Sequence, residues 1–157
     1  MTSETEKQLL SDQSIKAKVK KSCRMEFIGT GFYRKLSDGC TQDPKLAKTL
    51  DAFSKHELKH GILFSRYYET AYGKTHGRTF WITLGKVAAF FQARGGLKKT
   101  LKKLHLIESR AVKDIEQELL TGAPTPYLEI LKKILPDEKA HARLYSQLYP
   151  ESGSTDL

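Results

Sequence analysis

Apolar positions recur every three to four residues in four long stretches of the chain, with turn-forming residues between them. The first stretch runs from about Gln13 to Leu36 and ends in SDGCTQD. Asp43 before Pro44 reads as a helix cap followed by proline at the first helical position, opening a second stretch to about Tyr72. Along it Leu46, Leu50, Phe53, Glu57, His60 and Phe64 fall on one face. A third stretch, Leu97 to Leu120, aligns Leu97, Leu101, Leu104, Glu108, Ala111, Ile115 and Leu119. Thr125-Pro126 repeats the cap signal, and a fourth stretch continues to about Tyr149, with Pro136 predicting a kink.

Short loops join the first stretch to the second and the third to the fourth, whereas the connection from Gly73 to Gly96 is long. Two hairpins joined by a crossover predict an all-α four-helix bundle over residues 13–149. A fifth, short helix is expected inside the crossover, around Trp81 to Ala93. Residues 1–12 and the polar tail 150–157 are expected to be flexible.

Composition adds limits. At 157 residues, 39% hydrophobic and 29% charged, the chain suits one soluble domain. No apolar run reaches the ~18–20 residues of a spanning helix, and no apolar leader is visible at the N-terminus. Cys23 and Cys40 form no CxxC pair, so neither a disulfide framework nor a rubredoxin-type iron site is expected. A reducing cytoplasm is the expected location.

The charge is uneven. The net +9 rests on eight basic residues, Lys74, Arg78, Lys86, Arg94, Lys98, Lys99, Lys102 and Lys103, in a stretch without acidic residues; the remaining 19 basic residues nearly balance 18 acidic ones. A helical wheel puts Phe80, Leu84, Val87 and Phe91 on one face of the crossover helix, with Trp81 and Ala88 beside it. Such a face with basic neighbours suits an anionic membrane surface, which would make the protein peripheral to a membrane. The competing reading packs it against the bundle or a second copy in a homodimer. Nucleic acid is the weaker partner, because aromatic and aliphatic residues interleave the charges. The lysine-rich run 16–21 reads as a solvated face.

The chemistry lies on faces that should be apolar. Each bundle helix carries a carboxylate: Glu26 on the first, Glu57 on the second, Glu108 on the third and Glu138 on the fourth. The second and fourth add His60 and His141, each three residues after its Glu and so on the same side one turn later. One Glu-x-x-His is common and usually solvated, but this order on four helices is the ligand set of a dinuclear carboxylate centre. Without metal, six buried ionisable groups would be costly. Two iron or manganese ions would be balanced by the four carboxylates, with Glu57 and Glu138 bridging. Glu26 and Glu108, and likewise His60 and His141, would each bind one ion.

These residues resemble the ferritin-like superfamily over about residues 13–149. FIGTGFYRKLS after Glu26 and DEKAH at 137–141 resemble rubrerythrins and bacterioferritins. The resemblance implies a redox or supporting role for Tyr33, seven residues after Glu26, and a hydrogen bond from a ligand histidine to Asp137. The equivalent of Asp137 on the second helix is His56, a departure from the pattern. Leu58 stands where bacterioferritins carry a haem-binding methionine, so no haem is expected. The crossover, with its Trp and glycine-containing apolar stretch, resembles that of demethoxyubiquinone hydroxylases, although their His-Ala-Gly-Glu start is replaced by Ser22-Cys23-Arg24-Met25-Glu26.

The resemblance implies an oxidoreductase activating dioxygen or peroxide, either a rubrerythrin-like peroxidase or a small-molecule or lipid hydroxylase, fed by a separate electron donor. The alternatives are a ferroxidase or iron-handling protein without organic substrate, and a tRNA-type hydroxylase using the basic crossover. A substrate pocket is expected around Tyr33, Ile62, Val112 and Ile134, and His105 is a weaker candidate near Glu108.

Overall fold

The computed structural model describes residues 4–74 and 77–150, with side chains described from Ser11 onward. It is a bundle of five helices: α1 (Glu4–Gly39), α2 (Pro44–Tyr72), α3 (Arg78–Ala93), α4 (Leu97–Thr121) and α5 (Pro126–Leu148). No strand occurs among the described residues. The helix starts follow local chemistry. The Asp43 carboxylate accepts from the Leu46 N–H at 2.9 Å, the Thr125 hydroxyl accepts from the Leu128 N–H at 3.3 Å, and proline follows each cap. α5 continues through Pro136, whose missing N–H removes one helical hydrogen bond without ending the helix.

α1 starts at Glu4, nine residues before the start expected from the apolar pattern. The expected flexible tail lies outside the described residues from 151 onward.

α1 pairs with α2, α4 with α5, and α2 with α5, while the crossover helix α3 lies against α1. That last contact depends on two glycines. A Cβ on Gly31 would stand 1.9 Å from the Ile82 carbonyl oxygen, and one on Gly85 would stand 2.0 Å from that of Ile28. Backbone meets backbone at both points, so no side chain fits.

The core comes in two apolar blocks. Phe32, Leu36, Leu46, Leu50, Phe53, Leu101 and Leu144 form one, and Val19, Phe27, Phe64, Tyr127, Leu128, Leu131 and Ile134 the other. A polar layer, the six candidate ligands of the sequence, lies along the helices between them. α4 and α1 scarcely touch; two side-chain bridges, Tyr33 to Glu108 and Lys18 to Glu118, span the gap.

Candidate metal centre

Glu57, His60, Glu108, Glu138 and His141 are buried, and the Glu26 side chain is 12% exposed. Two overlapping clusters form. Glu26, Glu57, His60 and Glu138 make one and Glu57, Glu108 and His141 the other, with candidate ligand atoms within 4.8 Å of one another in each. Glu57 is common to both, while Glu138 falls only in the first. A Cβ on Gly29 would lie 2.1 Å from Glu57 Oε2, so glycine leaves room for this shared carboxylate.

The orientation of these atoms tests whether metal fits. His60 Nδ1 lies 3.0 Å from Glu138 Oε1 and 3.3 Å from Glu26 Oε2, and His141 Nδ1 lies 3.0 Å from Glu57 Oε1. Yet Glu26 Oε2, His60 Nδ1, Glu138 Oε1 and His141 Nδ1 are buried with no hydrogen-bond partner. The atoms are close but aimed past one another, which suits donors converging on a common centre. Buried polar atoms are rarely left without a well-aimed partner, and four together in one layer suit a shared ion. Hard carboxylate oxygens with neutral imidazole nitrogens suit iron or manganese.

The outer nitrogens settle the ring orientations. His60 Nε2 donates to Asp137 Oδ2 at 3.0 Å, which turns Nδ1 toward the carboxylates, where a metal ion would displace its proton. His141 Nε2 lies 3.4 Å from His56 Nδ1, so His56 takes the place that Asp137 has beside the other histidine. His56 Nδ1 is also 3.7 Å from Asp137 Oδ1. The buried Tyr33 hydroxyl donates to Glu108 Oε1 at 2.7 Å, and its ring packs edge-on against Phe53. Burial and the Glu108 charge hold the Tyr33 phenol well above its usual range, so it remains a donor.

Without metal, Glu26, Glu57 and Glu108 hold their protons more tightly than free carboxyls. Burial, then the neighbouring carboxylates, push Glu57 well above the usual range; burial, chiefly, lifts Glu26 to about 7 and Glu108 to about 8. Burial lowers His60, but Glu138, Glu26 and Asp137 outweigh it and lift the ring to about 10. Burial and its histidine neighbours lower His141 to about 3. A carboxyl whose pKa is raised on folding contributes stability below its unfolded value and loses it as pH rises through the folded value. Raised Glu26, Glu108 and His60 share that sign. His141 acts oppositely, but its contribution is lost only as pH falls below about 6.5 toward about 3. The metal-free protein in chelator is therefore expected to melt lower at about pH 8.5 than at about pH 6.5. A flat or rising melting temperature over that range would contradict the proton-loaded centre.

Other expected positions fall elsewhere. His105 Nδ1 donates to the Ala142 carbonyl at 2.6 Å, which ties it to α5 and away from both clusters. Ile62 and Val112 are half-buried away from the openings to the polar layer, so the expected pocket walls need correction. The actual opening lies where α1, α3 and α4 leave a gap. A cavity of about 240 Å³ walled by Met25, Ile28, Phe32, Ala88, Leu104 and Ile107 reaches Glu26, Glu57, Glu108 and Glu138. A second, of about 340 Å³, opens between α1, α4 and α5 past Lys18, Lys21 and Arg110 to Glu26 and Glu138. Helical periodicity shows which residues share a face but not that two faces stand apart, so the stripe itself does not reveal this gap. Met25 and Ile107, about half exposed at its mouth, were its one sequence signal: apolar residues off the main stripe.

On the crossover, Phe80 is 61% and Phe91 59% exposed, with Leu84, Val87 and Phe90 also exposed. The face is not packed against the bundle. Lys86, Arg94, Lys98, Lys99, Lys102 and Lys103 are exposed beside it or on the following turn of α4. Trp81 and Ala88 turn inward and are half-buried. No helix among the described residues is long and apolar enough to cross a membrane.

Compared with known families, the chain matches the rubrerythrin model over residues 18–149. The comparisons find no similar curated protein and no similar solved structure. The match takes in α1 from Lys18, the other four helices and both Glu-x-x-His segments, and so the chain belongs to the rubrerythrin family, within the ferritin-like di-iron superfamily.

Proposed function

We propose that this protein is an oxidoreductase that holds two iron ions and reduces dioxygen or a peroxide, with a small apolar molecule as its organic partner. Glu26, His60 and Glu138 would hold one ion, Glu108 and His141 the other, and Glu57 would join them. When bound, a reduced iron pair supplies two electrons for cleavage of an O–O bond. The carrying observation is the opening between α1, α3 and α4, whose walls are apolar and whose end is the carboxylate layer. An apolar wall admits small neutral molecules and dioxygen more readily than ions.

The chain's own residues would do the rest. Tyr33 fixes one oxygen of Glu108 and leaves the other for the centre. Asp137 keeps His60 in the tautomer that offers Nδ1 inward. Cys23 and Cys40 are separate buried thiols, so reducing equivalents would come from a separate donor.

The test compares hydrogen peroxide with cumene hydroperoxide on protein loaded anaerobically with Fe(II). Oxidation should use two irons per chain, repeat after each reduction, and favour the apolar hydroperoxide. Ile107→Trp should slow cumene hydroperoxide about tenfold or more and spare hydrogen peroxide, since narrowing an apolar mouth discriminates by size. Iron accumulating far beyond two per chain, or equal slowing of both oxidants, would contradict the reading.

The exposed face of α3 supports peripheral association with an anionic membrane of the cytoplasm. Two copies would bring like basic flanks together, which disfavours self-association through this face. Sedimentation with phosphatidylglycerol vesicles at low salt, lost in Phe91→Ser, is expected; equal recovery of both proteins in the supernatant would contradict it.

A further inference from the structure

Where the start of α3 meets α1, beside the end of α2, there is a further cavity, different in character from the carboxylate layer. It holds about 180 Å³ and is lined by Lys20, Arg24, Lys74 and Arg78, with Trp81 and Phe27 among its walls. No carboxylate lines it. None of the four cations forms an ion pair with a described residue. Instead the Arg24 guanidinium lies 5.1 Å from the Trp81 ring and that of Arg78 lies 5.6 Å from the Phe27 ring. Cation–π contacts hold the two guanidinium groups in place while leaving their charge and donors free. All four are solvent-exposed, so their mutual repulsion is screened and their positive potential faces an incoming anion.

We propose that this cleft binds a phosphate group carried by a small organic molecule or a lipid head group. Two arginines match phosphate oxygens through paired N–H donors, two lysines add charge, and the aromatic walls accept an adjoining apolar part. The cleft itself has room for a phosphate and the first atoms attached to it, and an adjoining hollow shares Lys20, Arg24 and Trp81. The cleft opens where the exposed aromatic face of α3 begins, since Phe80 adjoins Trp81 with ring centroids 4.9 Å apart. It makes no use of the metal centre, so the two readings stand or fall separately.

Trp81 is the chain's sole tryptophan and lines the cleft, so its emission reports occupancy directly. The full chain is titrated at constant ionic strength with inorganic phosphate, with glycerol 3-phosphate, and with phosphatidylcholine vesicles with and without phosphatidylglycerol. A saturable emission change is expected with the phosphates. It should be about tenfold or more weaker in Arg24→Gln, Arg78→Gln, which loses charged hydrogen-bond donors. Lys48→Gln, Lys133→Gln removes the same charge from exposed positions outside the cleft and should leave the affinity unchanged. Phosphatidylglycerol-dependent binding that phosphate displaces supports the cleft with a lipid source. Phosphate binding without any phosphatidylglycerol dependence supports it with a free organic phosphate. Unaltered metal content in both double variants shows that the bundle is intact. No saturable change with either phosphate, or equal weakening in the two double variants, would overturn the proposal.

Discussion

Glu57→Gln is expected to reduce metal content from two ions per chain to one or none, while leaving the metal-free protein at least as stable as the parent. Glu57 is 5% exposed and is the one carboxylate common to both clusters, so its loss removes a charge from each half of the centre. Glutamine keeps the size and resembles the protonated acid that burial already favours without metal. The two halves of the prediction therefore have different signs. In the parent, Mn(II) at about 100 times its dissociation constant should add about 2.7 kcal/mol by linkage. For a chain of this length that raises the melting temperature by roughly 5–11 °C, and the variant should lose most of the rise. Calorimetry with and without Mn(II), paired with elemental analysis, checks both. Two tightly held ions and a full thermal shift in Glu57→Gln would remove Glu57 from the shared position.

The second large effect is structural. Gly85→Val should destabilise the protein by about 3 kcal/mol or more, because overpacking at a backbone contact cannot be relieved by turning a side chain. The Ile28 carbonyl would lie 2.0 Å from the new Cβ, so α1 and α3 must separate along their whole crossing. The separation would also open the roof of the apolar cavity, since Ala88 and Gln92 of α3 line it. A fall in melting temperature of about 6–12 °C is expected. Gly39→Ala is the control, because nothing lies within 4 Å of a Cβ there. Equal melting temperatures for the two variants would contradict the close crossing of α1 and α3.

Both effects rest on residues that the sequence exposes to different degrees. The face Leu46, Leu50, Phe53, Glu57, His60 and Phe64 is buried in full, since helical spacing and burial are one statement about α2. The two Asp/Thr-Pro caps were equally legible, because a cap is local chemistry between residues three apart. The glycines of FIGTGF and Gly85 were visible as letters, but their purpose was not. Whether a glycine faces a carboxylate, a neighbouring backbone or solvent depends on which helix crosses there, and that is a property of the packed chain. The early start of α1 has no apolar signature for another reason: residues 4–12 carry only Leu9 and Leu10 as large apolar positions, too few to define a face. His56 shows the same limit at the candidate centre. Its departure from the family pattern was readable, whereas its position 3.4 Å from His141 Nε2 required the fold.

The gap between α1 and α4 carries the most functional weight and was the least legible. The apolar stripe of α4 was correctly periodic, yet only Thr100, Leu101 and Glu108 of that helix are buried. A stripe normally implies a partner along its length, and here α5 and part of α3 supply it while α1 stands back. Ile107, 53% exposed, and Met25, 49% exposed, face solvent at the mouth of the cavity that results.

The central claim is that six side chains from four helices hold two metal ions side by side. The most direct measurement is iron X-ray absorption on protein loaded anaerobically with Fe(II) and desalted, with the iron counted in the same sample. The account predicts two irons per chain, a first shell of oxygen and nitrogen only, and iron–iron scattering at the ~3.5–4 Å expected of a paired site. One iron or none per chain, sulfur in the first shell, or two irons without mutual scattering would contradict it.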